Sequence, residues 1–164
     1  MMTLVDPKIH YLTMRDAILA LFQANKTALN VGLTGGTFSA DHNEQIIAGD
    51  PISKQLPETL YPAIMVKLAD KTETFQRAGN AGRKRPDVMF KIFGLTSKLE
   101  SDPDAEIATL TDNIEGLLRN DITIGGAVEI SDLGRAEFGL AQGEEDGLWH
   151  DIVLINLVCT VEVK

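Results

Sequence analysis

Met14, Ala17, Ile18, Leu21 and Phe22 recur three and four positions apart, the spacing that gathers apolar side chains on one face of a helix. The helix has two candidate starts. One is Asp6 as N-cap with Pro7 at the first helical position, and the other is Thr13; the pattern fades between Asn25 and Asn30. A second helix is better signalled. Asp102 caps it, Pro103 opens it, and Asp104 and Glu106 sit in the first turn, where the helix dipole favours negative charge. Ile107, Leu110, Ile114, Leu117 and Leu118 make its apolar stripe, with Arg119 in the last turn. Gly116 costs such a helix about 1 kcal/mol relative to Ala, so the stripe must be buried, across a sheet.

Elsewhere the period changes to two. Ile64, Val66 and Leu68 alternate with Ala63, Met65 and Lys67 in a strand that begins at Tyr61-Pro62. A turn at Asp70-Lys71 would lead into a partner segment from Glu73 to Arg77. Val88, Phe90 and Ile92 alternate with Met89, Lys91 and Phe93 in a third strand, and the glycines and charges between Ala78 and Pro86 suit a hairpin tip. After Gly125-Gly126 come two short strands, Ala127 to Ser131 and Arg135 to Leu140, around a turn at Asp132-Leu133-Gly134. The last run, Leu148 to Val163, puts Trp149, Val153, Ile155, Leu157, Cys159, Val161 and Val163 on one face. At roughly 3.3 Å per residue it would span about 50 Å, so it either bends at a bulge or passes its own sheet to pair with another subunit. Residues 32–59 carry no sustained period. They read as a long loop insertion that is functional or ordered by a partner, and whose removal should spare the fold, although Ile46, Ile47 and Ile52 argue against full disorder. The fold class expected is α+β in one domain, 1–164. A mixed or antiparallel sheet carries the N-terminal helix and one amphipathic helix, and 70–87 form a basic hairpin extension.

Composition narrows the chemistry. The 164 residues are 44% hydrophobic and include one cysteine, which excludes an internal disulfide and a thiolate zinc cage and fits a reducing compartment. No apolar run approaches the roughly 18 to 20 residues of a membrane span. The net charge of −9 is unevenly spread: residues 1–98 hold 12 basic and 9 acidic side chains, and residues 99–164 hold 3 and 15. Arg77, Arg83, Lys84 and Arg85 form a basic cluster on the hairpin, and Glu144, Glu145 and Asp146 form an acidic loop. Both are candidate subunit or partner contacts. With an acidic balance and only 5% aromatic residues, sequence-specific nucleic-acid binding is excluded, and the acidic part of the same chain is the nearest partner for the basic hairpin.

The glycines from Gly32 to Gly36 lack the Walker lysine and the Rossmann spacing, so they read as a plain loop. Asp41, His42, Asn43 and Glu44 are metal-capable side chains near Ser39, but nothing supplies the base and orienting group that a nucleophilic serine needs. His150 and Asp151 could meet Glu144 to Asp146 around a cation, yet strand alternation sends the two to opposite faces. Cys159 reads as a small buried hydrophobe.

The order of elements brings in a family. A proline-led strand at Tyr61-Pro62 is followed by a basic-tipped hairpin and an amphipathic helix. Then come Asn120-Asp121-Ile122-Thr123-Ile124-Gly125-Gly126-Ala127-Val128 and a long final strand from Trp149. Over most of the chain apart from 32–59, this resembles the tail terminator, or tail completion, proteins of long-tailed bacteriophages. The resemblance implies a non-enzymatic α+β subunit in the tail or neck of a virion, assembled in the host cytoplasm. It would form a hexameric ring on the tail tube protein, stop tube growth and present a surface to the head–tail connector or adaptor protein. DNA would pass through the ring without sequence-specific binding. It implies no catalytic residue, no cofactor, no metal and no membrane. The acidic residues would either meet the basic hairpin of the next subunit or line the channel and repel DNA. Two other readings stay open: another neck or adaptor subunit, and a small metal-dependent hydrolase using Asp41, His42 and Glu44, or His150 with the acidic loop.

Overall fold

A computed structural model of the chain describes residues 8–54, 56–75, 84–96, 102–142 and 149–161. Two helices come first, α1 at Tyr11–Ala24 and the short α2 at Lys26–Leu29. Strand β1 spans Ile46–Ala48, β2 Ala63–Phe75 and β3 Lys84–Leu95, and helix α3 spans Pro103–Asn120. Strands β4, Ile130–Gln142, and β5, Trp149–Thr160, complete a single mixed sheet in the order β1-β2-β3-β5-β4. Only β1 runs parallel to its neighbour. The fold class is α+β, as the patterning predicts.

Alternation decides which face is covered. Ile64 and Val66 from β2, Val88, Phe90 and Ile92 from β3, and Val153, Ile155, Leu157 and Cys159 from β5 are fully buried. They pack with Met14, Ile18 and Phe22 of α1 and with Ile107, Leu110, Ile114 and Leu118 of α3. Both helices therefore lie on one side of the sheet. Gly94 lets α3 come close, since a Cβ there would stand 3.0 Å from Val153 and 3.1 Å from Ile114. The Asp102 carboxylate accepts the Ala105 N–H at 3.2 Å, with Pro103 in the first helical position, so the α3 start forms as its sequence dictates. Helix α1 begins at Tyr11, behind a left-handed His10. Asp6 and Pro7 lie outside the described residues.

Several boundaries differ from those read in the sequence, among them the start of β3, which takes in Lys84 to Pro86 of the expected hairpin tip. Asp70-Lys71 is not a turn: β2 runs through it, and a register shift between Leu68 and Asp70 takes up the extra residue as a bulge. Asp132-Leu133-Gly134 likewise lies inside one continuous β4, with the shift between Leu133 and Ala136. There a Cβ on Gly134 would stand 3.3 Å from the Asn156 carbonyl oxygen. Ala127 and Val128 belong to the turns before β4, not to a strand of their own. Over its described span, Trp149–Thr160, strand β5 pairs with β3 on one side and β4 on the other, while Leu148 and the residues after Val161 lie outside the described residues. Its pairing stops at Thr160 for a reason found on β3. Pro86 accepts the Val161 N–H at 3.2 Å but has no N–H to return.

The segment 32–59 is part of the core rather than an appendage. Phe38 and Ile46 are buried in the main cluster, and β1 adds the strand beside β2. Gln45, also buried, accepts the Ser39 N–H and donates to the Thr37 and Pro62 carbonyls. Beyond it, Leu56 and Tyr61 fold over the other side of the sheet onto Ala63, Met65 and Leu95. The far part of that side is left uncovered by the described residues.

Candidate subunit interface

Beyond Pro86 strand β3 has no strand partner on the β5 side among the described residues, and the β2–β3 pair continues through Glu73↔Pro86, Thr74↔Arg85 and Phe75↔Lys84. This is a two-stranded arm. Arg85, near its described end, pairs with Glu129 at 3.0 Å, both side chains less than half exposed. At the arm's base the Thr160 hydroxyl donates to Asp87 at 2.6 Å. Of the charged residues read as contacts, Lys84 therefore opens β3 and Arg85 meets the acidic part of the chain. Arg77, Arg83, Glu144, Glu145 and Asp146 lie outside the described residues. Glu129, just before β4, was not singled out in the sequence, where a lone acid between a valine and an isoleucine carries no signal.

A second feature lies on the uncovered face. Met89, Phe93, Ile152 and Leu154 form the floor of an open groove of about 930 Å³, walled by Asp50 to Ile52 and by Leu68 to Asp70. Lys67, Lys91 and Asp70 also line it. Lys67 on β2 stands directly opposite Lys91 on β3, which stands opposite Asn156 on β5. Like charges at such positions repel. Asp50 relieves one of them: its carboxylate takes the Lys67 ammonium at 2.8 Å together with the N–H groups of Ile52 and Ser53. The Lys67 bond, followed by those from Ser53 and Ile52, holds the Asp50 carboxyl well below the usual range. Among the described residues no carboxylate meets Lys91, and the buried Asn156 Oδ1 accepts no hydrogen bond. Sequence alternation places Met89, Lys91 and Phe93 on one face; the cross-strand register that aligns Lys67, Lys91 and Asn156 is long-range and invisible there.

The sites considered for chemistry resolve differently. Glu44 donates its N–H to His42 Nδ1 at 3.3 Å in an exposed loop, and its carboxylate lies 3.9 Å from the same nitrogen. The Ser39 hydroxyl oxygen accepts the Asp41 N–H at 3.2 Å. The His150 ring is buried, with Nδ1 2.9 Å from the Thr96 carbonyl oxygen and its face stacked on Tyr61 at 4.0 Å. Among the described residues no three His, Cys, Asp or Glu side chains gather as a metal site. In the glycine loop, the N–H groups of Thr34 and Gly35 and the Thr34 hydroxyl all donate to the buried Glu106 carboxylate. An internal carboxylate thus occupies the place a phosphate would need. Burial pushes the Cys159 thiol up to about 12. Neither the family models nor the curated proteins compared with this sequence give a match.

Proposed function

We propose that the chain is a ring-forming structural subunit of the tail-terminator kind, which caps a phage tail tube and offers its other surface to the head connector. The observation that carries this reading is the uneven covering of the sheet. Its helices lie on one face, the far part of the other face is left uncovered by the described residues and has an apolar floor, and a two-stranded arm continues past the end of β5. A subunit whose opposite sides differ in this way is suited to head-to-tail packing, which closes into a ring when the rotation allows. The Arg85–Glu129 pair joins the arm to the acidic part of the chain inside one subunit, so any contact of the arm with a neighbour falls to its other basic residues. By the resemblance to tail terminators, the ring is a hexamer and DNA passes through it. The test is to add the purified chain to growing tail tubes and image them. Tubes of fixed length with a density capping one end support the reading; unbounded growth and bare ends refute it.

A further inference from the structure

Strand β4 ends the sheet on one side, and among the described residues no strand pairs with its outer edge. Which of its backbone groups face outward follows from β5. The Val161 N–H goes to the Pro86 carbonyl and the Thr96 N–H to the Asp151 carbonyl, so odd-numbered β5 residues bond to β3 and even-numbered ones to β4. Past the register shift, Glu137, Gly139 and Ala141 lie opposite Leu154, Ile152 and His150 and bond inward. The N–H and C=O groups of Ala136, Phe138, Leu140 and Gln142 therefore point away from the sheet. Nearer the start of β4 the edge is closed by the Ser131 N–H, which is taken by the Ile122 carbonyl at 2.7 Å, and by the bulge between Leu133 and Ala136.

Sheet edges are ordinarily guarded by charge, proline, bulges or short length. The opposite edge of this sheet is guarded: β1 covers Ile64 to Val66, a bulge follows between Leu68 and Asp70, and Lys67 and Lys71 flank it. From Ala136 to Gln142 there is no bulge and no proline, the one charge is Glu137, and Phe138 and Leu140 are 59% and 63% exposed. A second β4 fits this edge. Two copies related by a two-fold axis pair antiparallel, and outward groups meet outward groups only when the axis passes through a residue position. An axis at Ala136 or Phe138 carries the partner strand into the bulge, and one at Glu137 sets two carboxylates face to face. An axis at Gly139 keeps all seven residues in register. Phe138 of each copy then stands opposite Leu140 of the other, Glu137 opposite the uncharged Ala141, and Gly139 opposite itself. We infer that the open edge of β4, Ala136 to Gln142, docks the same strand of a second copy of this chain, joining two sheets into one across a two-fold axis at Gly139. This goes beyond the ring reading and does not rest on it, since a two-fold contact is complete in a pair and closes no ring.

The experiment uses the full chain, read by mass in solution across concentration and by mild oxidation of cysteine variants. Across such an axis the two Gly139 Cα atoms stand about 4.5 Å apart, within disulfide reach. A Cβ at Gly139 has ordinary room, 3.8 Å from Ile152, and the native Cys159 is buried. Gly139→Cys should therefore cross-link copy to copy, whereas Glu137→Cys should not. Phe138→Lys with Leu140→Lys should weaken pairing at least about tenfold, as should Phe138→Glu with Leu140→Glu, while a mixture of the two chains restores it, with native circular dichroism throughout. A wild-type chain that is monomeric at every concentration, pairing that persists in either charged variant, or charged chains that stay apart when mixed would overturn the inference. So would a Gly139→Cys chain that cross-links to Lys71→Cys and not to itself, because the β2 edge would then be the occupant. Capping of tail tubes is read separately and decides the ring reading alone.

Discussion

Arg85 on the β3 arm lies 3.0 Å from Glu129 at the foot of β4, a contact that joins the basic and acidic parts of the chain within one subunit. Because both side chains reach solvent, the pair contributes about 1 kcal/mol at most to stability. Reversing Arg83, Lys84 and Arg85 to Glu should therefore lower the melting temperature by no more than about 4 °C. The same change should weaken ring formation strongly at low salt and less as salt screens the arm. Assembly that is unchanged at every ionic strength would return the arm to a solvated tip.

Glu106 fastens the glycine loop to α3 across more than seventy residues of sequence, accepting two N–H groups and one hydroxyl while almost fully buried. Glu106→Ala removes the acceptor and leaves those donors behind. A loss of about 2 to 3 kcal/mol is expected from urea unfolding. Glu106→Gln should recover part of it, and a variant as stable as the wild type would mean that water replaces the carboxylate.

The pH dependence of stability has two separate signs. Folding holds Asp50 ionised below its ordinary value of 3.8, so its contribution is complete above that value and is lost as pH falls through the lower folded one. Asp50→Asn should flatten the acid limb of a urea-midpoint profile; an unchanged slope there would contradict the assignment. Cys159 behaves oppositely. Its thiol moves from an ordinary 9.0 to about 12, so the folded chain keeps a proton that the unfolded chain releases, and stability falls as pH rises between those values. Near about pH 8 a thiol reagent should label Cys159 only on unfolding.

Residues 32–59 should be indispensable. Phe38 and Ile46 are at most 3% exposed and pack in the main cluster, so Phe38→Ala is expected to cost about 3 to 5 kcal/mol. Deleting the whole segment should yield no soluble folded protein. A deletion that folds and melts cooperatively would show that the sheet does not need β1.

What the sequence made legible was what repeats locally. The alternation through Val88, Phe90 and Ile92 and the cap, proline and stripe of α3 appear as expected, because each is decided within a few residues. Strand β1 was missed because Ile46–Ala48 is too short to show a period. The two misplaced turns have one cause: Asp70-Lys71 and Asp132-Leu133-Gly134 have turn composition, but the neighbouring strands continue past them and absorb the irregularity as bulges. The candidate interface was half legible. Arg85 belongs to a visible basic run, whereas Glu129, Lys67 opposite Lys91, and Asn156 are brought together only by strand pairing.

Native mass measurement of the full chain, alone and after mixing with tail tubes, tests the central claim most directly. A closed ring of fixed copy number, hexameric by the resemblance to tail terminators and retained on the tube end, is the result expected. A chain that stays monomeric at every concentration and shows no affinity for tubes would contradict it.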